Sequence, residues 1–460
     1  MKTDILPTCS QNSQMLHIMD NMAVDLSITD NPLSIPEHHL FEMAARVNKK
    51  RGFLFVSKVL GKHIPVHPLK PLLASGLLAF EYAEQKTGRP LKDKKDILKG
   101  FLSENHSDIQ AAYQTLQAQR FTLPEAPLVI GFAETATALG HGVYDCMENA
   151  SYVHTTREQI SDTEPAITFV EEHSHATDQV CYAEHHVLDN QCPIILVDDE
   201  LTTGKTVLNI IRDIQSKYPR KEYAVLSLLD WRTEAHRQAF SAAERELGIT
   251  ISTAALLSGR ISFRGEPLSD SIHNYRPKLQ GSHVCRTDID LSGFFTSVTY
   301  QPETAPKEAG PFPYVKETGR FGLTPADRVS VHEACQKAAH HIEDFRRGNK
   351  TLVLGTGELM YVPMKIAAEL SGAVFYQSTT RSPIHPAARE GYAVQNGYSF
   401  MNPEDESIRH FVYNLPDEGY DEVFLCFEKA VSDESLQPIF DIFKEKGMSH
   451  IHIVTISGRA

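Results

Sequence analysis

The fold is decided by the sequence IILVDDELTTGKT, which occupies positions 194–206. Its first four residues are apolar and mostly β-branched, which predicts a buried β-strand. Two carboxylates, Asp198 and Asp199, follow at the carboxyl end of this strand, and a short Thr/Gly loop comes next. Beyond the loop, apolar residues recur at helical spacing, namely Val207, Leu208, Ile210, Ile211 and Ile214. This order predicts a nucleotide or sugar-phosphate site at the carboxyl edge of a parallel sheet.

The loop carries the groups that a phosphate needs. Main-chain amides at the start of a helix are unpaired and lie at the positive end of the helix dipole, so they bind anions. Gly204 lets the main chain approach the anion without an intervening Cβ atom, and the threonines add hydroxyl donors. The predicted phosphate-binding residues are Thr202, Thr203, Gly204, Lys205 and Thr206.

The acidic pair needs a different partner, because carboxylates repel a phosphate. The expected partners of Asp198 and Asp199 are a vicinal diol, a bound Mg²⁺ ion, or both. The ending Gly204-Lys205-Thr206 is shared with the P-loop of ATPases, but that motif requires another glycine five residues before Gly204. This chain has Asp199 at that position, which excludes an ATPase of that type.

The whole stretch resembles, without a gap, the 5-phosphoribosyl 1-pyrophosphate (PRPP) loop of type I phosphoribosyltransferases. The resemblance implies an α/β fold with a parallel sheet, and a Mg²⁺-dependent ribosyl transfer that releases pyrophosphate, or the reverse reaction. It places Asp198 and Asp199 on the ribose diol, where they contact the metal only through PRPP. Some purine enzymes of this family have an acid where this chain has Thr202, so activation of a base by that route is not implied.

Two further strands are expected to end at the same edge of the sheet. Leu128-Val129-Ile130 predicts a strand that runs into a turn of small residues, and this turn resembles the pyrophosphate loop of the family. The strand at 151–154 ends in Thr155-Thr156-Arg157, and a guanidinium binds phosphate oxygens bidentately. The alternatives are a helix start selected for packing and an ordinary surface arginine. The predicted pyrophosphate-binding residues are Ala133, Glu134, Thr135, Thr156 and Arg157.

A histidine-containing segment, 171–178, lies between that strand and the PRPP loop. The resembled family has a mobile catalytic loop at this place, and histidine suits acid–base work. Together with His185 and His186 these histidines also suggest a metal site, but they lack cysteine partners and regular ligand spacing. We prefer the catalytic-loop interpretation, and the catalytic candidates are Glu172, His173 and His175.

An earlier segment, 52–66, mixes strand-forming residues with Lys58, Lys62 and His63. The preferred interpretation is a core strand with a solvated basic edge. The alternative is a lid that presents cations to an anionic substrate. Pro65 closes the segment, since proline lacks the N–H that a strand needs.

Composition limits the compartment and the partners. The 460 residues suffice for two or three domains, and the net charge of −14 disfavours broad attraction to nucleic acid. The sequence has no apolar run long enough to span a membrane, and its amino-terminal segment lacks a basic-then-apolar signal pattern. We therefore expect a cytoplasmic protein without membrane contact. The expected partners are PRPP, an unidentified acceptor and a second copy of the chain as a homodimer.

The carboxyl-terminal part repeats the pattern of the first domain. One constant offset aligns Glu134 with Glu358, and Thr155-Thr156-Arg157 with Thr379-Thr380-Arg381, without a gap. A slightly larger offset places Val423-Phe424-Leu425-Cys426 on the strand of the PRPP loop. The repeat predicts a second, shortened sheet of the same fold.

The second copy replaces the phosphate cradle but keeps a different cluster. Ser432-Asp433-Glu434-Ser435 stands where the cradle was, so like charge is expected to exclude PRPP. A guanidinium with neighbouring hydroxyls suits a carboxylate or a phosphate, which predicts an anion site in this domain. The alternative is that Arg381 docks the two domains. The residues of the predicted second-domain anion site are Gly357, Glu358, Thr380, Arg381 and Ser382.

Two short motifs extend the resemblance to the whole chain. Thr380-Arg381-Ser382-Pro383 matches the motif that names the TRSP domain, and Gly319-Arg320-Phe321-Gly322 resembles another signature of that domain. The chain is therefore similar to TRSP-containing phosphoribosyltransferase-like proteins that are encoded with bacterial tellurite-resistance and stress-response systems. This similarity implies a role in making a nucleoside-like metabolite from an acceptor that the sequence does not identify.

The expected plan is a poorly ordered amino terminus (1–35), a phosphoribosyltransferase-like domain (36–285), a Pro/Gly-rich linker (286–318) and a TRSP domain (319–460). Its fold class is α/β, with a parallel-sheet phosphoribosyltransferase fold followed by a degenerate copy. A non-catalytic PRPP or nucleotide sensor is one alternative function, because a fold does not fix a function. Nucleotide phosphorolysis or glycosidic cleavage is another. Ribose-phosphate pyrophosphokinases also have a duplicated fold, but they keep the intact loop in the second half.

Overall fold

The structure is a computed structural model that describes residues 13–19, 21–48, 51–169, 179–183, 185–268, 284–303 and 311–458. The strands of its amino-terminal part are β1 (Ser13–Met19), β2 (Met22–Asp30), β3 (Phe41–Ala45), β4 (Phe53–Ser57), β5 (Leu128–Gly131), β6 (Ser151–His154), β7 (Ile167–Phe169), β8 (Gln179–Cys181), β9 (Ile194–Leu201), β10 (Glu222–Asp230) and β11 (Thr250–Arg264). The helices of this part are α1 (Leu69–Thr87), α2 (Lys94–Leu102), α3 (His106–Ala118), α4 (Ala136–Asp145), α5 (His185–Leu188), α6 (Lys205–Lys217) and α7 (Glu234–Leu247).

The larger sheet has β9 near its centre. Seven strands of the described chain form it, in the order β1-β2-β11-β10-β9-β5-β6. The strands from β11 to β6 are parallel, whereas β2 and β1 extend the sheet in antiparallel fashion beyond β11. Residues 194–197 of β9 are completely buried. A central strand of a parallel sheet is covered on both faces, which explains the unbroken apolar run at this point of the sequence.

The carboxyl-terminal part has a smaller sheet. Its strands are β12 (Cys285–Asp290), β13 (Ser297–Tyr300), β14 (Phe312–Val315), β15 (Lys350–Gly355), β16 (Ala373–Ser378), β17 (Gly397–Asn402), β18 (Asp405–Tyr413), β19 (Glu422–Phe427) and β20 (His450–Thr455). The helices of this part are α8 (Asp327–Glu343), α9 (Tyr361–Glu369) and α10 (Asp433–Glu445). Short 3₁₀ helices cover Glu37–His39, Ser292–Phe294 and Lys316–Thr318.

The two sheets share an arrangement of four parallel strands. The smaller sheet has the order β12-β20-β19-β15-β16, and all of its neighbouring strands are parallel. In the larger sheet the order β10-β9-β5-β6 follows the same sequence of chain positions. Helix α10 follows β19 as α6 follows β9. The chain is thus an α/β protein with two mostly parallel sheets.

Each part of the chain lends a segment to the sheet edge of the other part. Val66, just before α1, forms an antiparallel bridge with Tyr376 of β16, and Leu323, just before α8, forms one with Tyr152 of β6. Each bridge has two main-chain hydrogen bonds, of 3.0 and 2.8 Å in the first and 2.8 and 2.7 Å in the second. Apolar residues of both sheets also belong to one continuous core. The two parts are therefore interlocked rather than joined only by a linker.

The structure places strands in two segments that the sequence analysis treats as irregular. β1 and β2 lie within 1–35, and β2 joins the larger sheet because Met22, Val24 and Leu26 alternate onto its buried face. β12 (Cys285–Asp290) occupies the start of the segment 286–318, where it pairs with β20 and buries Ile289. Pairing with a neighbouring strand makes both segments regular, and this pairing cannot be read from the segments themselves.

Candidate functional site

Three acidic residues extend the carboxyl end of β9. Gly131, the last residue of β5, pairs with Val197, so the three acids lie beyond the end of that neighbouring strand. Because side chains alternate along a strand, Asp198 and Glu200 share one face of the sheet and Asp199 lies on the other. The main-chain N–H of Asp199 donates to Oδ1 of Asp198 at 2.9 Å. The acidic pair of the sequence motif therefore stands at the edge where ligands bind to such sheets.

The surroundings of these acids distinguish their roles. Glu200 forms an ion pair with Arg51 at 2.5 Å, and the Arg51 guanidinium lies 4.8 Å from the centre of the Phe53 ring. Burial raises the pKa of Asp199, although the hydrogen bond with Asp198 and the charge of Arg51 oppose this rise. Glu200 is therefore paired with Arg51 of the protein itself. A cation bound near Asp199 would favour the ionised form of that buried carboxyl group.

The loop after β9 leads into an uncapped helix start. Gly204 precedes α6 as its N-cap residue with a φ of 71°, and it has no side chain that could cap the helix. A Cβ atom at this position would lie 2.5 Å from the Phe240 ring, so glycine is required by both conformation and space. The hydroxyl of Thr203 accepts a long hydrogen bond, 3.3 Å, from the main-chain N–H of Lys205. The first amides of α6 thus lie beside small and hydroxyl-bearing residues, as an anion site requires.

A cluster of arginine side chains packs against this loop. Asp230 ends β10 and accepts hydrogen bonds from Arg232 at 3.0 and 2.8 Å, and Arg237 lies 3.1 Å away. Burial alone would raise the pKa of Asp230, but the hydrogen bonds and charge of Arg232 lower it. The guanidinium of Arg232 lies 4.3 Å from the centre of the Phe240 ring, under Gly204. The loop therefore packs on a platform formed by Arg232 and Phe240, in which Asp230 holds the arginine in place.

A polar cavity of about 230 Å³ opens beside this platform. It lies where β10 and β2 end, beside the middle of β11. Its volume is that of a small molecule rather than of a peptide. The cavity is lined by Thr29, Asp30, Arg232, Glu234, Arg237, Ser258, Gly259 and Arg260.

The predicted pyrophosphate loop is held by side chains from two directions. The N–H of Ala133 donates to the hydroxyl of Thr155 at 2.8 Å, and the amide of Gln179 donates to the carbonyl of Ala133 at 3.0 Å. Glu134 forms an ion pair with Lys62 at 3.0 Å. Although burial alone would raise it, the charge of Lys62 with those of His410 and Arg381 lowers the pKa of Glu134 to about 2. Glu134 is thus an anion directed at the carboxyl-terminal part.

The other predicted pyrophosphate residues contact that same part. The hydroxyl of Thr156 donates to Oε2 of Glu358 at 2.6 Å. The main-chain N–H of Arg157 donates to Oε1 of the same carboxylate at 2.9 Å. Thr135 lies next to α4 as its N-cap residue, and its side chain makes no capping hydrogen bond. Residues 133–135 and 156–157 therefore come together at the sheet edge, and Glu358 joins them there.

The predicted second-domain cluster also has a carboxylate of this chain as its neighbour. The hydroxyl of Thr380 and the main-chain N–H of Arg381 each lie 3.4 Å from Oε2 of Glu134. The N–H of Ser382 donates to the Thr380 hydroxyl at 3.1 Å, which shapes the turn. Gly357 lies at the same place, where an added Cβ atom would be 3.5 Å from Glu134. Glu358 is separated from this cluster, because its carboxylate is directed to the first-domain turn.

Comparison of the sequence with protein families identifies both parts. A phosphoribosyl transferase family matches residues 40–260, and the TRSP domain that lies carboxyl-terminal to that family matches residues 317–443. Residues 40–260 are thus similar to the phosphoribosyl transferase family, and residues 317–443 to the TRSP domain. We refer below to these parts as the phosphoribosyltransferase domain and the TRSP domain. A comparison with curated proteins finds no significant match.

Solved structures of similar shape are phosphoribosyltransferases. Adenine phosphoribosyl transferase from Trypanosoma brucei, in complex with AMP, pyrophosphate and ribose-5-phosphate, has 12% identity and a TM-score of 0.31, over 56% of this chain and 92% of that one. The adenine enzyme of Leishmania donovani has 15% identity and a TM-score of 0.27, over 50% and 83%. The orotate enzyme of Mycobacterium tuberculosis H37Rv, in complex with PRPP, has 14% identity and a TM-score of 0.18, over 41% of this chain and 89% of that one. Scores this low identify no substrate of this chain.

Three predicted residues cannot be placed. Glu172, His173 and His175 lie in 170–178, outside the described residues, between β7 and β8. In the described part of the chain no group of three or more His, Cys, Asp or Glu is arranged to hold a metal ion. No helix among the described residues is both long and apolar enough to cross a membrane.

Sequence reasoning missed the residues that join the two domains. The segment 52–66 was expected to have a solvated basic edge, but Lys62 is only 1% exposed and its ammonium group also donates to the carbonyl of Gly357 at 3.1 Å. Only residues 53–57 of it form a strand, and the remainder crosses to the TRSP domain. The one available signal was the pair Gly61-Lys62, which corresponds to Gly319-Arg320 of the TRSP signature. A two-residue match is too short to be recognised as a repeat. It becomes visible only once the bridges of the two segments to β16 and β6 are known.

Proposed function

We propose that the phosphoribosyltransferase domain binds PRPP with Mg²⁺ and transfers its phosphoribosyl group to a nucleobase-like acceptor, or catalyses the reverse reaction. The observation that carries this proposal is the uncapped start of α6 beside Gly204, immediately after the acids of β9. A phosphate fits the helix start and a ribose diol fits the acids. Ribose 5-phosphate carries both of these groups. The family match of residues 40–260 supports the same reaction class.

The 5′-phosphate would be held by the loop 202–206. The amides at the start of α6 and the hydroxyls of Thr202, Thr203 and Thr206 are its donors in this proposal. The platform of Arg232 and Phe240 below Gly204 keeps the loop in place before the ligand arrives. Preorganised donors of this kind lose little entropy on binding, so they contribute to affinity at low cost.

Asp198 and Asp199 would hold the ribose diol. Their oxygens are hard donors that also suit Mg²⁺, although the described residues contain no cluster of three or more such side chains that could hold the ion. In this proposal Asp198 and Asp199 would act on a bound ion only through PRPP. The ion supplies neutralisation of the charge that develops on pyrophosphate.

The reaction itself needs mainly position and charge. The bond between ribose C1 and the pyrophosphate oxygen breaks, and pyrophosphate leaves with the bonding electrons. A lone pair of the acceptor forms the new bond to C1, and the proton of the acceptor passes to a base. The transition state is oxocarbenium-like, so electrostatic stabilisation dominates. Arg157 and the loop 133–135 would hold pyrophosphate, and His173, His175 and Glu172 are proposed to close over the site and exclude water.

For the TRSP domain we propose a degenerate copy of the same fold that binds no PRPP. The common strand order of the two sheets supports this relationship. The first turn of α10 contains Asp433 and Glu434, which repel a phosphate. The position of Glu134 beside Thr380 and Arg381 favours docking of the two domains over binding of an external anion. Replacement Arg381→Ala decides between them, since docking predicts weaker PRPP binding and an external site predicts weaker use of the acceptor only.

The proposed reaction is tested by incubating the full chain with PRPP, Mg²⁺ and a metabolite extract. Mass spectrometry should detect a new ribosylated product together with pyrophosphate, and the product identifies the acceptor. Binding of PRPP without release of pyrophosphate from any acceptor pool would instead support a sensor. A variant that lacks residues 172–178 should lose turnover far more than PRPP affinity, because a closing loop acts on the transition state. The cytoplasmic location and the link to tellurite resistance stay expectations from composition and resemblance.

A further inference from the structure

We propose that Glu358 of the TRSP domain positions the pyrophosphate half of the active site in the phosphoribosyltransferase domain. The inference rests on the proposed function and adds a residue that lies outside the catalytic domain. Glu358 is a positioning residue, because it acts through the turn that carries Arg157 rather than on the substrate. The TRSP domain would then be part of the enzyme's active site and not an independent appendage.

The contact has the form of a clamp. Both oxygens of Glu358 are used, one by the hydroxyl of Thr156 at 2.6 Å and the other by the main-chain N–H of Arg157 at 2.9 Å. Hydrogen bonds to an ionised acceptor are shorter and stronger than neutral ones. Two such bonds to adjacent residues fix both the position and the orientation of the turn. The direction in which the Arg157 guanidinium leaves the main chain follows from that orientation.

Glu358 is itself held in place by the TRSP domain. Arg320 lies 3.7 Å from its Oε2 atom and forms a 2.7 Å ion pair with Glu428, and all three side chains are at least nine-tenths buried. Burial alone would lower the pKa of Arg320, but the acids around it raise it, so it stays charged. Arg320 thus lies between the carboxylates of Glu358 and Glu428, and its charge attracts both of them.

The segment that carries Arg320 also approaches the turn from its other side. Gly319 lies against the Tyr152 ring, where an added Cβ atom would be 2.4 Å away, and its carbonyl accepts the N–H of His154 at 3.3 Å. Leu323 then forms the bridge to Tyr152. The strand β6 that ends at His154, just before Thr156, is therefore paired with the TRSP domain along its length, and the turn that follows it is clamped by that domain.

The same arrangement recurs in the opposite direction, which indicates a built interface rather than a chance contact. Glu134 of the phosphoribosyltransferase domain lies against the turn Thr380–Arg381, and Lys62 stands beside it as Arg320 stands beside Glu358. Gly61 lies against the Tyr376 ring as Gly319 lies against Tyr152. The clamp on the phosphoribosyltransferase domain is the tighter of the two, with bonds of 2.6 and 2.9 Å against two of 3.4 Å.

The test compares two ligands that share everything except pyrophosphate. Calorimetry with Mg²⁺ measures the Kd of PRPP and of ribose 5-phosphate for the full chain and its variants. Glu358→Ala should raise the Kd of PRPP roughly tenfold or more, the effect of a lost charge-assisted hydrogen bond, and change that of ribose 5-phosphate less than about twofold. Glu358→Gln keeps an acceptor oxygen and should fall between Ala and wild type. Thr156→Val removes the clamp from its other side and should show the same selectivity.

Asp421→Asn is the matched control. Asp421 is also a TRSP-domain carboxylate that accepts two main-chain N–H groups, from Asn349 at 2.7 Å and Lys350 at 2.9 Å, but it is remote from the first-domain turn. Wild-type affinity for both ligands is expected from it. Unchanged PRPP affinity in Glu358→Ala overturns the inference and leaves the proposed function intact. Equal weakening of both ligands, with a lower melting temperature, overturns it in favour of general packing. If the wild type binds neither ligand, both proposals fall.

Discussion

The two strand–loop–helix units of this chain, β9 to α6 and β19 to α10, differ at the helix start. Gly204 precedes α6 with a φ of 71° and offers no side chain to the first amides. Ser432 precedes α10 in an extended conformation, and its hydroxyl accepts the N–H of Ser435 at 3.0 Å. A helix start that caps itself needs no ligand, whereas an uncapped one gains from an anion. In our proposal this difference separates a helix start that binds phosphate from one that is closed by its own serine.

The acids before the two loops differ in the same way. Asp198 and Asp199 stand at the strand end of the phosphoribosyltransferase domain, and Phe427 and Glu428 stand at the equivalent place of the TRSP domain. Glu428 accepts the N–H of Val315 at 3.0 Å and pairs with Arg320 at 2.7 Å. Its carboxylate is used within the protein, so it is not available for a ribose diol. The fold is common to both units, and the use of the polar groups separates them.

The largest effect is expected from removing the charge of the acidic pair. Asp198→Asn combined with Asp199→Asn should weaken Mg²⁺-dependent PRPP binding by at least about 100-fold, since two charged acceptors of the diol are lost. Calorimetry with PRPP measures the change, and far-ultraviolet circular dichroism checks the fold. The control Asp421→Asn in the TRSP domain should leave PRPP binding within about threefold, because that acid bonds only main-chain N–H groups of its own domain. Wild-type affinity in the aspartate double variant would remove PRPP from this site.

The next effect concerns the glycine of the cradle. Gly204→Ala should lower the free energy of unfolding by about 2 kcal/mol, because a left-handed residue gains a Cβ atom that lies 2.5 Å from Phe240. PRPP affinity should fall as the loop shifts. Gly248→Ala is the control, with a φ of 64° and no described atom within 4 Å of the added Cβ, so only the backbone cost of about 1 kcal/mol remains. Chemical denaturation measures the free energy of unfolding of both variants. A larger loss in Gly248→Ala than in Gly204→Ala would contradict this account.

A smaller effect is expected at the self-capped helix. Ser432→Ala removes the cap of α10 and should lower the free energy of unfolding by about 1 kcal/mol. Its effect on PRPP affinity should be within experimental error, since this loop binds no phosphate in our proposal. Denaturation and calorimetry on one protein preparation measure both quantities. A clear loss of PRPP affinity would mean that the two units are more alike in function than their caps indicate.

The smallest effect is a pH dependence in the TRSP domain. Glu404 accepts the Thr356 hydroxyl at 2.9 Å and the N–H of Lys429 at 2.9 Å, and burial raises its pKa from 4.5 to about 7. The folded chain then binds this proton more tightly than the unfolded chain, so the contribution to stability is complete below pH 4.5 and is lost as the pH rises to about 7.

Glu404→Gln should therefore raise the melting temperature at pH 8 and leave it unchanged near pH 4.5. The gain should be about 1 kcal/mol or less, because the side chain is partly open to solvent. Differential scanning calorimetry at the two pH values measures it. An equal gain at both pH values would show that charge is not its cause.

The sequence predicted the part of the site that is contiguous in the chain, but not the contacts between the two domains. The residues 194–206 are contiguous, so their order alone predicted a strand, an acidic pair and a helix start, and the structure has these elements at 194–201 and 205–217. The internal repeat likewise paired Glu134 with Glu358. It did not reveal that each of these acids contacts the turn of the other copy, because a repeat aligns equivalent positions and says nothing of how the copies pack.

The sequence by itself determined the strands β9 and β19, the acids and the Thr/Gly loop that follow the first, and the acidic residues that follow the second. Each depends on residues close together in the chain, where apolar period, glycine and like charge act directly. Only the tertiary structure decided the burial of Lys62, the clamp of Glu358 and the strands within the segments expected to be irregular. These depend on partners that are far away along the chain, as Glu358 is from Thr156, or on an edge that must exist before it can be paired.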